Sequence, residues 1–342
     1  MKKALFTFLI LLLALASFAC QQGVAEKNIK SETAFPRITR FDERFDKIVP
    51  ADAKLEKLTD GFAWVEGPVW DKTGNFLLFS DIPNNQIIKL QNGATSIFLK
   101  PSGYTGAETF TGREPGSNGL TFDSEGRLTF TQHGNRRIVR QEKKGDLTVL
   151  ADRFEGKRIN SPNDLVYRSN GDLYFTDPPF GLPKVLEDKG KELDFQGVYR
   201  LSKDGKLQLL TKEVQFPNGI AFSPDEKTLY VSNADKENAV WYAFDVKTDG
   251  TLGEKRTIFN AAEWKNLPGV PDGMKVDQNG YIFAGAPGGI RIIDPQDGKQ
   301  IGIFEFDVPT ANCAWGEDGS TLYITSNTAI YRIKLNTKGA AF

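Results

Sequence analysis

Histidine is nearly absent: 342 residues hold one, His133. That excludes a multi-histidine zinc site and any catalysis needing two imidazoles. A Ser-His-Asp triad would have to use His133 itself. Cysteine is almost as scarce. Cys20 and Cys313 stand near opposite ends of the chain, which excludes a disulfide scaffold. Excess charge of one sign is missing too: 43 Lys+Arg face 44 Asp+Glu, a formal net charge of -1. With no basic cluster beyond pairs such as Arg136-Arg137, a nucleic-acid partner is not expected. Long helical patterns are also missing, apart from one weak candidate at 260–267. A parallel α/β fold, which needs helices of about 10 residues or more between strands, is therefore set aside. What the chain does have is 39% hydrophobic residues, enough to build a core in one large domain or two ordinary ones.

The one long apolar run is at the start. Met1-Lys2-Lys3 precedes an apolar stretch from Ala4 to about Ala16, then Ser17-Phe18-Ala19-Cys20. This is the pattern of a secretory signal peptide, and the run is shorter than the roughly 20 residues a membrane span needs. A Cys directly after Ala19 resembles the bacterial lipoprotein signal, with Ser17 departing from the usual Leu. The expected organisation is a signal peptide at 1–19, a lipidated Cys20, a polar tether over 20–50 and a folded domain over 51–342. Export to the periplasm or cell envelope follows, with membrane contact only through the lipid. Ordinary cleavage without lipid is the alternative. Cys313 is then left as a buried apolar thiol.

The rest of the chain repeats itself. VEGPVWDKTGNFLLFSD from Val65, NGLTFDSEGRLTFTQ from Asn118 and NDLVYRSNGDLYFTD from Asn163 share one grammar. So do NGIAFSPDEKTLYVSN from Asn218, DGMKVDQNGYIFAGA from Asp272 and NCAWGEDGSTLYITSN from Asn312. A polar residue, usually followed by Gly, opens a short apolar strand. A turn of Asp, Gly, Ser or Asn leads into a second strand, and another usually follows. Six units, spaced 40 to 55 residues apart, predict an all-β six-bladed β-propeller with four-stranded blades around a central channel. Residues 53–58 alternate weakly and are placed to close the ring as a strand on the last blade.

Equivalent positions in a propeller form a ring. Here they are Glu66, Asn118, Asn163, Asn218, Asp272 and Asn312. All six offer side-chain oxygen and two are acids, which suits a hard cation, Ca²⁺ before Mg²⁺. Single Asn and Asp residues often do no more than start turns, but here all six fall in register. His133 and Asp177 follow the second strands of neighbouring repeats, where each either faces a pocket or holds a turn. Arg113 and Glu114 fall in a Gly/Thr-rich insertion at 101–116, placed to act as a lid or to sit in solvent.

VEGPVW, SPNDL, FPNGIAFSPD and PDGMKVD resemble the senescence-marker-protein/gluconolactonase (regucalcin-like) family over almost all of 53–335. TDPPFGL, HGNRR and APGGIRIID look most like its exported bacterial branch. The resemblance implies a divalent metal, usually Ca²⁺ with Mg²⁺, Mn²⁺ or Zn²⁺ as alternatives, held by Glu66, Asn163, Asn218 and Asp272. It also implies Asp272 as general base in the hydrolysis of a lactone, a sugar lactone first. Asn118, His133, Asp164 and Asn312 are expected to line the substrate site, with Asp164 a rival for the base. A monomer is expected. A phosphotriesterase using the same metal, or a propeller that only binds a partner, are the competing readings. No motif in the chain separates acyl from phosphoryl substrates.

Overall fold

The computed structural model describes residues 35–340, so the expected signal and Cys20 lie outside the described residues. Six antiparallel sheets, each with four core strands, are arranged as a β-propeller. The innermost strands are Val65–Asp71, Ser117–Phe122, Leu165–Tyr167, Pro217–Phe222, Met274–Val276 and Thr310–Gly316. Each touches the next, and the last touches the first, so the circuit is closed.

Closure is made as the sequence suggested. Glu56–Thr59 supplies the outer strand of the sixth blade, pairing antiparallel with Ala329–Lys334. The three other strands of that blade come from the far end of the chain. This covers an edge that would otherwise offer unpaired N–H and C=O groups.

The core is divided among the six blade interfaces. Each apolar cluster joins two neighbouring blades, as Leu78 and Ile87 of the first do with Leu120, Phe130 and Val139 of the second. Trp241 of the fourth blade packs in the same way with Met274 and Ile282 of the fifth. Alternation along each strand gives a blade two apolar faces, one for each neighbour. Cys313 is fully buried in the cluster between the fifth and sixth blades, as expected of a lone apolar thiol.

The stretch read as a tether differs. From Arg37 it is ordered: Arg37–Arg40 adds a fifth strand to the fifth blade, against Lys299–Glu305. A helix at Glu43–Ile48, capped by the Asp42 carboxylate, buries Phe45 and Ile48 against the last two blades. Four strand residues and six helical ones are too few to show a period, so the segment reads as polar coil. The weak helical candidate at 260–267 contributes a single 3₁₀ turn, Ala262–Trp264.

Candidate active site

Four of the six ring residues are set by irregularities in the inner strands, while Asn163 and Asp272 stand just ahead of theirs. The pairing register shifts between Glu66 and Val69, between Ser117 and Leu120, between Pro217 and Ile220, and between Thr310 and Asn312. A bulge re-aims side chains, and here it falls at or beside the ring position each time. The following glycine serves close approach. A Cβ on Gly219 would stand 2.3 Å from the Asp272 carbonyl oxygen, and one on Gly67 would stand 1.9 Å from that of Asn118. Only glycine lets adjacent inner strands come this near.

Hydroxyls on the second strands complete the frame. Ser80 donates to the Asn118 carbonyl at 2.7 Å and Thr131 to that of Asn163 at 2.9 Å. Thr176 donates to the carbonyl of Asn218 at 2.6 Å and Ser232 to that of Asp272 at 2.9 Å. Each of the first four blades thus holds the ring residue of the next. The signal lay in the repeated FSD, FTQ, FTD and VSN, but a partner one repeat away is invisible in a linear reading.

Glu66, Asn118, Asn163, Asp164, Asn218 and Asn312 are all buried. Asp272 lies deep inside the protein but keeps part of its surface open to solvent. The Asn312 amide donates to Glu66 at 3.1 Å. The Glu66 and Asp272 carboxyls lie close enough to act on each other's protonation. Burial pushes the Glu66 carboxyl above the usual carboxylate range, and the charge of Asp164 adds to this. Asp272 is raised further, first by burial and then by Glu66. Burial also raises Asp164, against the pull of Lys275.

Three acids in one desolvated space cannot all ionise without a cation. Among the described residues, no three His, Cys, Asp or Glu side chains form a metal cluster unaided. Amide oxygens have to contribute, and Asn218 Oδ1 is buried without a partner, as is Asp164 Oδ2. An all-oxygen donor set with unsatisfied buried acceptors fits a hard divalent ion. Lys275, inside the PDGMKVD motif, is the cation the sequence reading passed over. Its Nζ donates to Asn312 Oδ1 at 3.3 Å and to the Met274 carbonyl at 3.0 Å.

His133 is fully buried and its Nε2 lies 3.2 Å from Asn118 Nδ2. Asp177 does structural work: its Oδ2 accepts from the Asn160 N–H at 2.8 Å. Phe180 stacks on Phe216 with ring centroids 6.0 Å apart. Trp264 stacks on Phe259 and carries the Arg291 guanidinium 3.8 Å from its ring centroid.

The molecule is thus a closed six-bladed propeller with carboxylates and amides drawn together where its inner strands meet. The sequence profile described as SMP-30/Gluconolactonase/LRE-like region matches residues 64–328, and the chain belongs to that family. It is 40% identical to the gluconolactonase of Zymomonas mobilis, over 92% of this chain and 90% of that protein. A gluconolactonase structure from Xanthomonas campestris superposes with a TM-score of 0.76 at 31% identity, covering 88% of this chain and 95% of its own. A calcium-binding regucalcin structure from Agrobacterium tumefaciens shares the fold, with a TM-score of 0.65 at 19% identity, covering 84% of this chain and 95% of its own.

Proposed function

We propose that the chain is a metal-dependent lactonase acting on a sugar lactone. One divalent cation, Ca²⁺ first, is held by Glu66, Asn163, Asn218 and Asp272. The observation that carries this reading is the meeting of the Glu66 and Asp272 carboxyls, with Asp164 near enough to raise both, beside the unpartnered amide oxygen of Asn218, in a family that includes gluconolactonases. A calcium-binding relative of the same fold supports the choice of ion. When bound, the ion polarises the ester carbonyl and makes a water more acidic.

Asp272 takes the proton of the attacking water. Its partial opening to solvent suits that role. Asp164, held through Oδ1 by the Leu165 N–H at 2.9 Å, follows Asn163 and steadies it. Water oxygen bonds to the acyl carbon, the ring C–O bond breaks, and the leaving alkoxide takes up a proton. The product is an open hydroxy acid. Asn118 and Asn312 face the substrate hydroxyls.

The test is proton release from D-glucono-1,5-lactone and from aliphatic and aromatic lactones by residues 21–342, metal-free and then with Ca²⁺, Mg²⁺, Mn²⁺ or Zn²⁺. Added metal restores turnover, and Glu66→Ala and Asp272→Ala each lower it by about 10²–10⁴-fold. Metal binding without lactone turnover would move the substrate to phosphoesters. No metal binding would sink the catalytic reading.

Export rests on the N-terminal sequence pattern alone. We expect the protein from the cell envelope to begin at a lipid-modified Cys20. An N-terminal peptide mass showing unmodified Cys20 would leave ordinary cleavage.

A further inference from the structure

We infer that Glu114 and His133 are positioning residues that fix which atom of the Asn118 amide faces the ring, and so tune the site to a hydroxyl-bearing substrate. The inference concerns the site of the proposed lactonase, but its first test reads only a proton.

His133 Nδ1 stands 2.8 Å from Glu114 Oε2. The carboxylate approaches off the N–H direction, so the contact is one of charge at close range and not a well-aligned hydrogen bond. A carboxylate oxygen at that distance repels a lone pair, which puts the imidazole proton on Nδ1. Nε2 then carries the lone pair and accepts from Asn118 Nδ2 across 3.2 Å. The opposite amide orientation would set Asn118 Oδ1 against that lone pair. The NH₂ group is therefore committed to His133.

What is left over is Asn118 Oδ1, buried and without a donor. A buried acceptor left unpaired is costly, and at this position beside the ring a donor on the ligand would satisfy it. The missing partner is an O–H donor. Polyhydroxylated lactones bring such donors and simple aliphatic lactones do not.

The surroundings hold the relay still. The His133 N–H donates to the Gly116 carbonyl at 3.0 Å, and its own carbonyl accepts from Arg136 N–H at 3.0 Å. Gly181 lies against the ring: a Cβ there would stand 2.5 Å from His133 Cβ. Glu114 arrives from the insertion at 101–116, whose end is pinned by Gly116 N–H on the Ile82 carbonyl at 3.1 Å. The insertion thereby acts on the site through one carboxylate.

Since His133 is the only histidine, untagged protein labelled with ¹⁵N-histidine gives one pair of ring-nitrogen signals. The expected result is a proton on Nδ1 and a lone pair on Nε2, shifting toward the Nε2–H form in Glu114→Gln. A proton on Nε2 in the wild type overturns the inference. In kinetics, Glu114→Gln raises KM about tenfold for D-glucono-1,5-lactone, with kcat less affected, and leaves KM for an unsubstituted aliphatic lactone unchanged. An equal loss on both substrates would mean a merely structural role and would also overturn it. If the wild type hydrolyses no lactone, the lactonase reading fails on its own and the nitrogen signals alone decide the tie.

Discussion

Asp177 shows how close a structural acid can stand to a chemical one. It ends the second strand of its blade one residue after Thr176, whose hydroxyl holds the Asn218 carbonyl. Its own carboxyl braces the Asn160 backbone instead, and its Oδ1 is buried without a partner. Burial pushes it up from an ordinary value near 3.8 to about 7, against the pull of Arg136. A raised acid is favoured in its protonated form by the folded state. Its stabilising effect is therefore complete below about pH 4 and lost as pH climbs through 7, an effect of at most about 4 kcal/mol. Asp177→Asn removes this titration and keeps an oxygen for Asn160. Urea midpoints measured from pH 4 to 8 should show the variant gaining steadily on the wild type as pH rises. A constant offset at all pH values would contradict this. The TDPPFGL motif made the residue stand out, but no spacing could tell a brace from a ligand, because both roles ask for a buried carboxylate.

The inner strands and their hairpins were legible because each repeats the same alternation and ends on the same kind of turn. Gly171 at φ +92° and Gly319 at φ +92° turn such hairpins in the left-handed region. The bulges were not legible, since they depend on the partner strand's register. Nor was the Arg37–Arg40 strand, whose partner lies more than 250 residues away. The closing strand Glu56–Thr59 was placed correctly because a ring of repeats needs something on its last edge. Its importance can be measured with Glu56→Pro combined with Lys57→Pro, the two residues paired in regular register. Successive N–H groups in a strand point to opposite sides, so one of the two prolines must remove a donor facing Ala329–Lys334. We expect a loss of roughly 3 kcal/mol or more in denaturation, with concentration-dependent light scattering from the opened edge. The double alanine variant should lose much less. Equal losses would mean that side chains, and not the ladder, hold the seam.

On the scale of the whole molecule, the propeller and its ring of oxygen-bearing side chains followed from six-fold recurrence. What recurrence could not supply is whatever differs between repeats. Glu114 and Lys275 have no counterparts in the other blades, yet they are the groups that orient Asn118 and balance Asp164. The seam matters for the same reason. The bond from Asn312 to Glu66 spans the joint between the last blade and the first, while Asp272 reaches Glu66 from the fifth. These side chains meet only because six wedges fill the circle. A seventh would widen the bore and draw Glu66 away from Asp272, while a fifth would crowd them together. The number of repeats is thus set by the reach of a few short side chains. Blades can be lengthened at their rims, as the outer strand Arg37–Arg40 shows, but none can be added or lost without dismantling the centre.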